Sequence, residues 1–243
     1  MRTAVILAGG LGTRLYPVTR EIPKPLIPVQ GRTLTEHVLD ILKEHGVREV
    51  ILSVGYKADK IKEYFGSGER FGVSITYLIE KEPLGTGGWM HLLECIPDEE
   101  FVVVNGDNLF DLDLDAALQI HKSTNALVTI GLTTVEDVEH YGVVDMDGDA
   151  ILRFVEKPSR DEAPSNRINS GYYIFSPAVF SEVPDAAKFM LEKDLFPKLA
   201  ANGRLSGFVS EAQWFDTGTF ERWDKVIHEW RAPEKEYKPL LKN

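Results

Sequence analysis

The sequence has only one cysteine, Cys95, so no disulfide bond can form within the chain. It also has no stretch that approaches the roughly 20 apolar residues of a membrane-spanning helix. Its first apolar run ends at Ala8, is too short for the hydrophobic part of a secretion signal and is followed at once by glycine. These absences favour a reducing compartment, and we expect a cytoplasmic protein without a membrane partner.

Positive charge is also scarce in this sequence. There are 27 Lys and Arg residues against 38 Asp and Glu, which gives a formal net charge of −11. This balance argues against general binding to nucleic acid, because such binding needs a net attractive field. It leaves room for an anionic small molecule, since a local group of basic side chains is enough to bind one. With 243 residues, 43% hydrophobic and 27% charged, the composition is that of a folded globular chain.

In the first half of the chain, short apolar runs alternate with amphipathic segments. The runs predict strands at 5–7, 50–54, 73–79 and 101–104. Helical spacing predicts helices at 34–42, 61–65 and 89–95. We expect Cys95 to be packed on the apolar face of the last of these helices. Regular alternation of strand and helix is typical of an α/β fold, with a mostly parallel sheet covered on both faces.

The second half of the chain is less regular. Its apolar runs predict strands at 126–133, 141–145, 151–156 and 168–175, with a hairpin turn at Asp147-Gly148-Asp149. Helices are predicted at 186–201, bent or split by Pro197, and at 220–230. No flexible linker divides the chain, so we expect one domain over 1–243 that ends in a loose surface tail at 231–243.

A glycine-rich stretch follows the first predicted strand. Gly9, Gly10 and Gly12 leave backbone N–H groups uncovered, and phosphate oxygens can approach such groups closely. Thr13 adds a hydroxyl group, and Arg14 adds a forked cation that suits phosphate. A tight turn between strand and helix explains the glycines equally well. The spacing excludes a P-loop and the dinucleotide fingerprint, because each needs residues that are missing here.

Lys24 lies between Pro23 and Pro25, and the prolines stiffen the loop that carries it. In isolation it is best interpreted as a solvated lysine, but its position ten residues after Arg14 favours a shared anion pocket. Ligands of parallel sheets bind beyond the carboxyl ends of the strands. Residues 8–14 and Gly106-Asp107 follow two predicted strands. The sequence therefore predicts that these two stretches form one site.

The ordered set of motifs resembles the sugar-1-phosphate nucleotidyltransferases, the NDP-sugar pyrophosphorylases. Each motif alone is modest, but together they span nearly the whole chain in the family's order. The matching segments are 7–19, 23–29, 82–88, 105–107, 141–144, 156–158, 169–171 and 214–219.

The resemblance implies a Rossmann-like three-layer α/β/α core with a sugar-binding portion, and a Mg2+-dependent reaction that joins an NTP to a sugar 1-phosphate. It implies a mainly nucleotide-binding part at 1–125 and a mainly sugar-phosphate-binding part at 126–230. The implied catalytic residues are Arg14, Lys24, Asp107 and Lys157. The implied nucleotide-binding residues are Leu7, Ala8, Gly9, Gly10, Gly12, Thr13, Gly85 and Thr86, with Arg14 and Lys24 on the triphosphate. The implied sugar-phosphate residues are Gly142, Glu156, Lys157 and Asn169, and the implied Mg2+ ligands are Asp107 and Asp216.

These roles suit the chemistry of two anions that repel each other. The reaction needs no covalent enzyme intermediate, so catalysis consists mainly of positioning and charge cancellation. Several of these residues also have a purely structural interpretation. Asp107 could cap a helix, Asp216 could be a turn residue, and Glu156-Lys157 could be a surface ion pair.

The segment 82–88 looks most like guanylyltransferases, whereas 214–219 looks more like thymidylyltransferases. GTP is therefore the favoured nucleotide, followed by dTTP or UTP. Alternative functions are a glycosyltransferase that uses Asp111-x-Asp113, and a non-catalytic nucleotide-sugar-binding regulator. Trp89 either crowds the pocket or packs away from it. Trp223 and Trp230, seven residues apart, suggest either internal packing or a homo-oligomer interface.

Overall fold

The computed structural model describes residues 1–232 as thirteen strands and six α-helices, with short 3-10 and π-helical turns between them. The strands are β1 (Thr3–Leu7), β2 (Pro28–Val29), β3 (Arg32–Thr33), β4 (Glu49–Val54), β5 (Ser74–Ile79), β6 (Phe101–Asn105), β7 (Asn108–Phe110), β8 (Val128–Thr134), β9 (Gly142–Asp147), β10 (Ala150–Glu156), β11 (Arg167–Phe175), β12 (Leu205–Val209) and β13 (Trp214–Asp216). The helices are α1 (Val18–Glu21), α2 (Leu34–Glu44), α3 (Ala58–Phe65), α4 (Leu114–Thr124), α5 (Phe196–Ala201) and α6 (Phe220–Glu229).

Nine of the strands form one sheet in the order β5-β4-β1-β6-β11-β8-β12-β10-β9. The four strands from the first half of the chain are parallel to one another. β11 joins them antiparallel to β6, and the remaining strands form a mixed sheet in which β12 runs parallel to β8. The predicted α/β fold is therefore confirmed, with four adjacent parallel strands from the first half and one further parallel pair, β8 and β12, from the second. The predicted hairpin is present as β9 and β10.

The sheet separates two hydrophobic cores because successive side chains of each strand point to opposite faces. In β1, Ala4 and Ile6 belong to the core that also contains the apolar side of α2, whereas Val5 belongs to the core that contains α5. β6 is arranged in the same way, with Val102 and Val104 on the first face. Burial on both faces explains why these strands read as continuous apolar runs.

Two predicted helices differ from the structure. Residues 89–95 contain only a 3-10 helix over Gly88–Leu92, and Cys95 is exposed rather than packed. The helix predicted at 186–201 begins at Leu191 as a π-helical turn and continues as α5. Pro197 is the second residue of α5 and lies directly after the point where the π-helical turn becomes α-helical.

The predicted tail at 231–243 lies almost entirely outside the described residues. Among residues 1–232, no helix is both long and apolar enough to cross a membrane.

A buried histidine gives the fold a specific pH dependence. His121 on α4 is 3% exposed, and its Nδ1 lies 2.8 Å from the Thr129 hydroxyl oxygen. Burial lowers the pKa of His121 from 6.5 to about 4. The unfolded chain therefore takes up a proton at this side chain before the folded chain does. The resulting stability is complete above pH 6.5 and is lost progressively as the pH falls towards 4.

We predict that His121→Gln weakens the dependence of the unfolding free energy on pH. Between about pH 7.5 and 5, the wild type should lose about 2 kcal/mol more unfolding free energy than the variant. Urea denaturation across this pH range measures the difference. The matched control is His228→Gln, which changes an exposed histidine and should leave the wild-type dependence intact. Parallel curves for the wild type and His121→Gln would contradict the assignment.

Candidate active site

Two neighbouring parallel strands end at the same edge of the sheet. Leu7 at the end of β1 is in register with Asn105 at the end of β6, and the Gly106 N–H donates to the Leu7 carbonyl at 2.9 Å. A side chain at position 106 would begin 2.9 Å from that carbonyl oxygen, so only glycine fits. The structure thus brings residues 8–14 and 106–107 together, as the strand pattern predicts.

Three cavities open along this edge. Cavity A, about 330 Å3, is lined by Leu7, Ala8, Gly9, Gly10, Lys24, Pro25, Glu80, Pro83, Gly85, Thr86, Asn105, Gly106, Asp107 and Met190. Cavity B, about 210 Å3, is lined by Arg14, Asn105, Asp107, Asn108, His140, Tyr141, Gly142, Glu156, Lys157, Asn169, Glu192, Asp216 and Arg222. Cavity C, about 210 Å3, shares Gly9, Glu80 and Pro83 with cavity A. Cavities A and B share Asn105 and Asp107. Asp107 therefore lies where these two cavities meet.

Asp107 forms an ion pair with Lys24, with 2.6 Å between Oδ2 and Nζ. The Lys24 side chain is only 12% exposed, whereas that of Asp107 is 38% exposed. Burial acts to raise the pKa of Asp107, but the positive charges of Lys24 and Arg14 outweigh it and hold this pKa below its ordinary value. Asp107 is therefore ionised at neutral pH.

Asp216 is brought to the same place by a small two-stranded sheet. β13 pairs antiparallel with β7, with Asp216 opposite Asn108, and both the N–H and the hydroxyl of Thr217 donate to the Asp107 carbonyl. The Asp216 carboxylate accepts from the Tyr141 hydroxyl at 2.6 Å and pairs with Arg222 at 2.9 Å. Burial and the hydrogen bond to Asp216 raise the pKa of Tyr141, so the phenol remains a donor.

The chemistry of these donors fits a hard divalent cation. Two carboxylates, Asp107 and Asp216, line one solvent-accessible cavity, and Mg2+ prefers a few carboxylate oxygens supplemented by waters and substrate phosphates. Each carboxylate oxygen has two lone pairs, so the ion pairs with Lys24 and Arg222 leave acceptor positions on both groups. A second group of ligand atoms, from His45, Asp113 and Asp115, lies within 4.8 Å on the surface, outside cavities A, B and C.

Cavity B gathers the predicted sugar-phosphate residues. Lys157 pairs with Glu156 at 3.2 Å, and its backbone has a positive φ of 49°. The Lys157 N–H donates to the Tyr141 carbonyl, which fixes this unusual conformation. Asn169 donates to the Tyr173 hydroxyl at 3.0 Å and accepts from the Gly171 N–H. A side chain at Gly142 would meet the Phe154 ring at 2.3 Å, so packing alone requires this glycine.

Some predicted residues occupy other positions than the motifs suggest. Gly12 and Thr13 line none of the three cavities, and the Gly12 carbonyl accepts instead from the Thr19 hydroxyl. Arg14 lines cavity B, near Asp216 and Gly218, rather than cavity A with Lys24. The two cations thus reach Asp107 from different cavities.

The glycines of 84–88 serve packing as well as access. Gly85 has a φ of 80°, and a side chain there would begin 2.3 Å from the Phe189 carbonyl oxygen. A side chain at Gly87 would begin 2.1 Å from the Phe189 ring. Backbone hydrogen bonds link Phe189 to Leu84 and Gly87, both at 3.1 Å. This glycine run is therefore needed to seat the segment around Phe189.

Sequence reasoning missed four side chains of the cavities: Glu80, Tyr141, Glu192 and Arg222. Glu80 accepts from the Ser53 hydroxyl at 2.7 Å and from the Leu84 N–H at 3.3 Å. Tyr141 lies in the motif 141–144 and Glu80 lies two residues before the motif 82–88, and these positions could have drawn attention to both. Glu192 and Arg222 lie in segments predicted only as helices and carry no motif of their own.

Three side chains with alternative interpretations, Asp111, Asp113 and Trp89, lie outside the three cavities. Asp113 caps α4 by accepting from the Ala116 N–H at 2.9 Å, and Asp111 and Asp113 both lie outside the three cavities. Trp89 is fully buried and packs away from the cavities against Phe175.

The two C-terminal tryptophans contact the chain's own core. Trp230 is buried beside His37 and Phe215, and the indole N–H of Trp223 donates to the Pro28 carbonyl at 2.9 Å. Their spacing is therefore explained by internal packing.

Comparison with known proteins gives consistent matches. Residues 3–230 match the nucleotidyl transferase family. The chain is 40% identical, over 94% of its length, to a UTP–glucose-1-phosphate uridylyltransferase of Synechocystis sp., and it spans 62% of that relative. It is 37% identical, over 93% of its length, to a D-glycero-alpha-D-manno-heptose 1-phosphate guanylyltransferase of Aneurinibacillus thermoaerophilus, of which it spans 97%. The crystal structure of HddC from Yersinia pseudotuberculosis complexed with GMP-PN covers 93% of this chain and is itself covered to 98%, with a TM-score of 0.75 and 35% identity.

The glycine geometry predicts a contrast between two positions in cavity A. Gly85→Ala should lower the unfolding free energy by about 2–4 kcal/mol, because it combines a positive φ with a backbone clash. Gly10→Ala is the matched control. No atom lies within 4 Å of the position its methyl would occupy, so its effect should stay within about 0.5 kcal/mol. Chemical denaturation compares them, and equal effects would contradict the packing role of Gly85.

Proposed function

Because the chain belongs to the nucleotidyl transferase family, we propose that it joins a nucleoside triphosphate to a sugar 1-phosphate and releases pyrophosphate. The single observation that carries this proposal is the meeting of cavities A and B at Asp107, with a cation arriving from each cavity. A reaction between two anions needs such a junction, where charge is cancelled and the reacting groups are held together.

Cavity A suits the nucleotide. Its floor includes the backbone of Gly9 and Gly10, to which a phosphate can come close, and Lys24 adds a positive charge at the end that continues into cavity B. The volume of about 330 Å3 is at the lower end of the range for small-molecule sites. Leu7, Ala8, Gly85 and Thr86 complete the lining on which the nucleoside rests.

Cavity B suits the sugar 1-phosphate. Lys157 and Arg14 supply positive charge for its phosphate, while Glu156, Asn169 and the Gly142 backbone offer polar groups to sugar hydroxyls. The Lys157 side chain is more than half exposed, so it can leave Glu156 to bind an incoming phosphate.

The reaction is a displacement at the α-phosphorus. An oxygen of the sugar phosphate forms the new bond, the bond from the α-phosphorus to the bridging oxygen breaks, and the electron pair leaves with pyrophosphate. Lys157 holds the attacking phosphate. Lys24 offsets the charge that develops on the leaving group. A divalent cation held by Asp107 and Asp216 would supply further charge neutralisation between the phosphates.

Glu80 supports GTP as the nucleotide. It lines both cavity A and cavity C, whereas Asp107 lines cavities A and B, and two hydrogen bonds fix the Glu80 carboxylate. Guanine presents two adjacent donors, N1–H and the 2-amino group, which match a carboxylate in a forked arrangement. Uracil and thymine present one N–H between two carbonyl oxygens, and these oxygens repel a carboxylate.

The test is a substrate panel. Pyrophosphate release is measured with Mg2+, each of GTP, UTP, dTTP, CTP and ATP, and a set of hexose and heptose 1-phosphates. We expect turnover with at least one sugar 1-phosphate, with GTP preferred. Nucleotide-sugar binding without pyrophosphate release would support a regulatory protein instead, and sugar transfer to an acceptor would support a glycosyltransferase. Either result would overturn the proposal.

The same assay tests the role of Glu80. Glu80→Gln should reduce kcat/KM for GTP by about tenfold or more and narrow its advantage over UTP, because the amide offers only one acceptor atom. Glu63→Gln is the matched control, since Glu63 is exposed and lies outside cavities A, B and C. An unchanged ratio of GTP to UTP in Glu80→Gln would refute this assignment of the base.

A further inference from the structure

One side-chain hydroxyl connects the two cavities. Thr86 lines cavity A and Glu192 lines cavity B, and the Thr86 hydroxyl donates to the Glu192 carboxylate. The same hydroxyl oxygen accepts from the Leu191 N–H at 2.9 Å. The donor and one of the two acceptor positions of this hydroxyl therefore hold the segment that carries Glu192.

Burial of the Glu192 carboxylate at this position costs free energy. It is only 6% exposed, and a buried carboxylate is costly unless it is hydrogen-bonded. Burial raises its pKa, and Glu156 acts in the same direction. The reaction as described assigns no task to this acid. Its surroundings in cavity B, beside Glu156 and Lys157, place it among the groups that face the sugar phosphate.

The segments that carry Thr86 and Glu192 fit tightly together. Phe189 exchanges backbone hydrogen bonds with Leu84 and Gly87, and the glycines of 85–88 leave no free space against residues 187–189. Glu192 lies in a single π-helical turn, Leu191–Leu195, an irregular element that is often found at functional sites. A displacement of Thr86 is thus transmitted directly to the start of this turn.

We propose that the Thr86–Glu192 hydrogen bond makes sugar 1-phosphate binding depend on the nucleotide. This inference rests on the proposed function. A nucleoside in cavity A packs against Gly85 and Thr86 and fixes the Thr86 hydroxyl. That hydroxyl then holds the Glu192 carboxylate in the orientation that receives the sugar in cavity B. Thr86 and Glu192 are positioning residues, and by linkage the sugar phosphate must strengthen nucleotide binding by the same factor.

The test measures this coupling factor directly. Isothermal titration gives the Kd of the sugar 1-phosphate, with and without the α,β-methylene analogue of the nucleotide, using the pair that turns over fastest in the panel. The ratio of the two Kd values is the coupling factor. Thr86→Val keeps the shape of the side chain and removes the hydroxyl, and it should reduce the wild-type factor by about tenfold. Thr86→Ser keeps the hydroxyl and should preserve most of the factor.

Two further variants separate coupling from damage to the fold. Glu192→Gln can still accept from Thr86 and should retain part of the coupling, whereas Thr86→Val combined with Glu192→Gln should lose no more than Thr86→Val alone. Tyr64→Phe removes a hydroxyl-to-carboxylate bond to Glu36, outside cavities A, B and C, and should leave the factor unchanged. Thermal unfolding establishes that each variant is folded at the temperature of titration.

The outcomes distinguish the two levels of the proposal. If the wild type releases no pyrophosphate with any pair, the proposed function fails. If the wild type turns over but its coupling factor is one, or if Thr86→Val retains the wild-type factor, the function stands and the coupling role of Thr86 is wrong.

Discussion

The ion pair between Lys24 and Asp107 is the interaction on which the rest of the site depends. A carboxylate alone at the meeting point of two phosphate-binding cavities would repel both substrates, and the chain as a whole carries a net charge of −11. Lys24 from cavity A and Arg14 from cavity B reverse this unfavourable charge locally, as the lowered pKa of Asp107 reflects. The parallel strands β1 and β6 bring the two sides together, and β13 fastens Asp216 to the backbone of Asp107.

Three other acids of the site accept a hydrogen bond from a neutral donor. Glu80 accepts from Ser53, Glu192 from Thr86 and Asp216 from Tyr141, each through a hydroxyl group. A hydroxyl satisfies part of a carboxylate without occupying a cation. These three carboxylates therefore do not depend on Lys157 or Arg14 for a hydrogen bond. The same arrangement gives each acid a fixed orientation, which is what recognition of a base edge or a sugar hydroxyl requires.

Much of the fold follows from local pattern. The continuous apolar runs of β1 and β6, and the glycines that follow them, are sufficient to predict the sheet edge where the cavities lie. The prediction of a helix at 89–95 is wrong because the apolar residues there form only a short 3-10 turn around Trp89. The prediction of a helix over all of 186–201 is wrong because residues 187–190 contact the glycines of 85–88 instead. Both errors arise from tertiary contacts, which a single-sequence pattern does not contain. Glu192 was missed for a related reason, since its partner Thr86 lies 106 positions earlier in the sequence. Arg222 was missed although its partner Asp216 is only six positions away, because it stands in no motif. The role of Gly85 is clear only from its contact with Phe189, 104 positions later.

The most direct test of the central claim compares Lys24→Ala with Lys157→Ala, with Lys198→Ala as an exposed control outside the three cavities. Steady-state kinetics gives KM for each substrate in each variant. If the two anions are held from different cavities, each of the two variants must raise mainly the KM of a different substrate. Lys24→Ala should raise KM for the nucleotide by about tenfold or more, and Lys157→Ala should do so for the sugar 1-phosphate, each with a much smaller effect on the other substrate. An identical pattern in both variants would contradict the account.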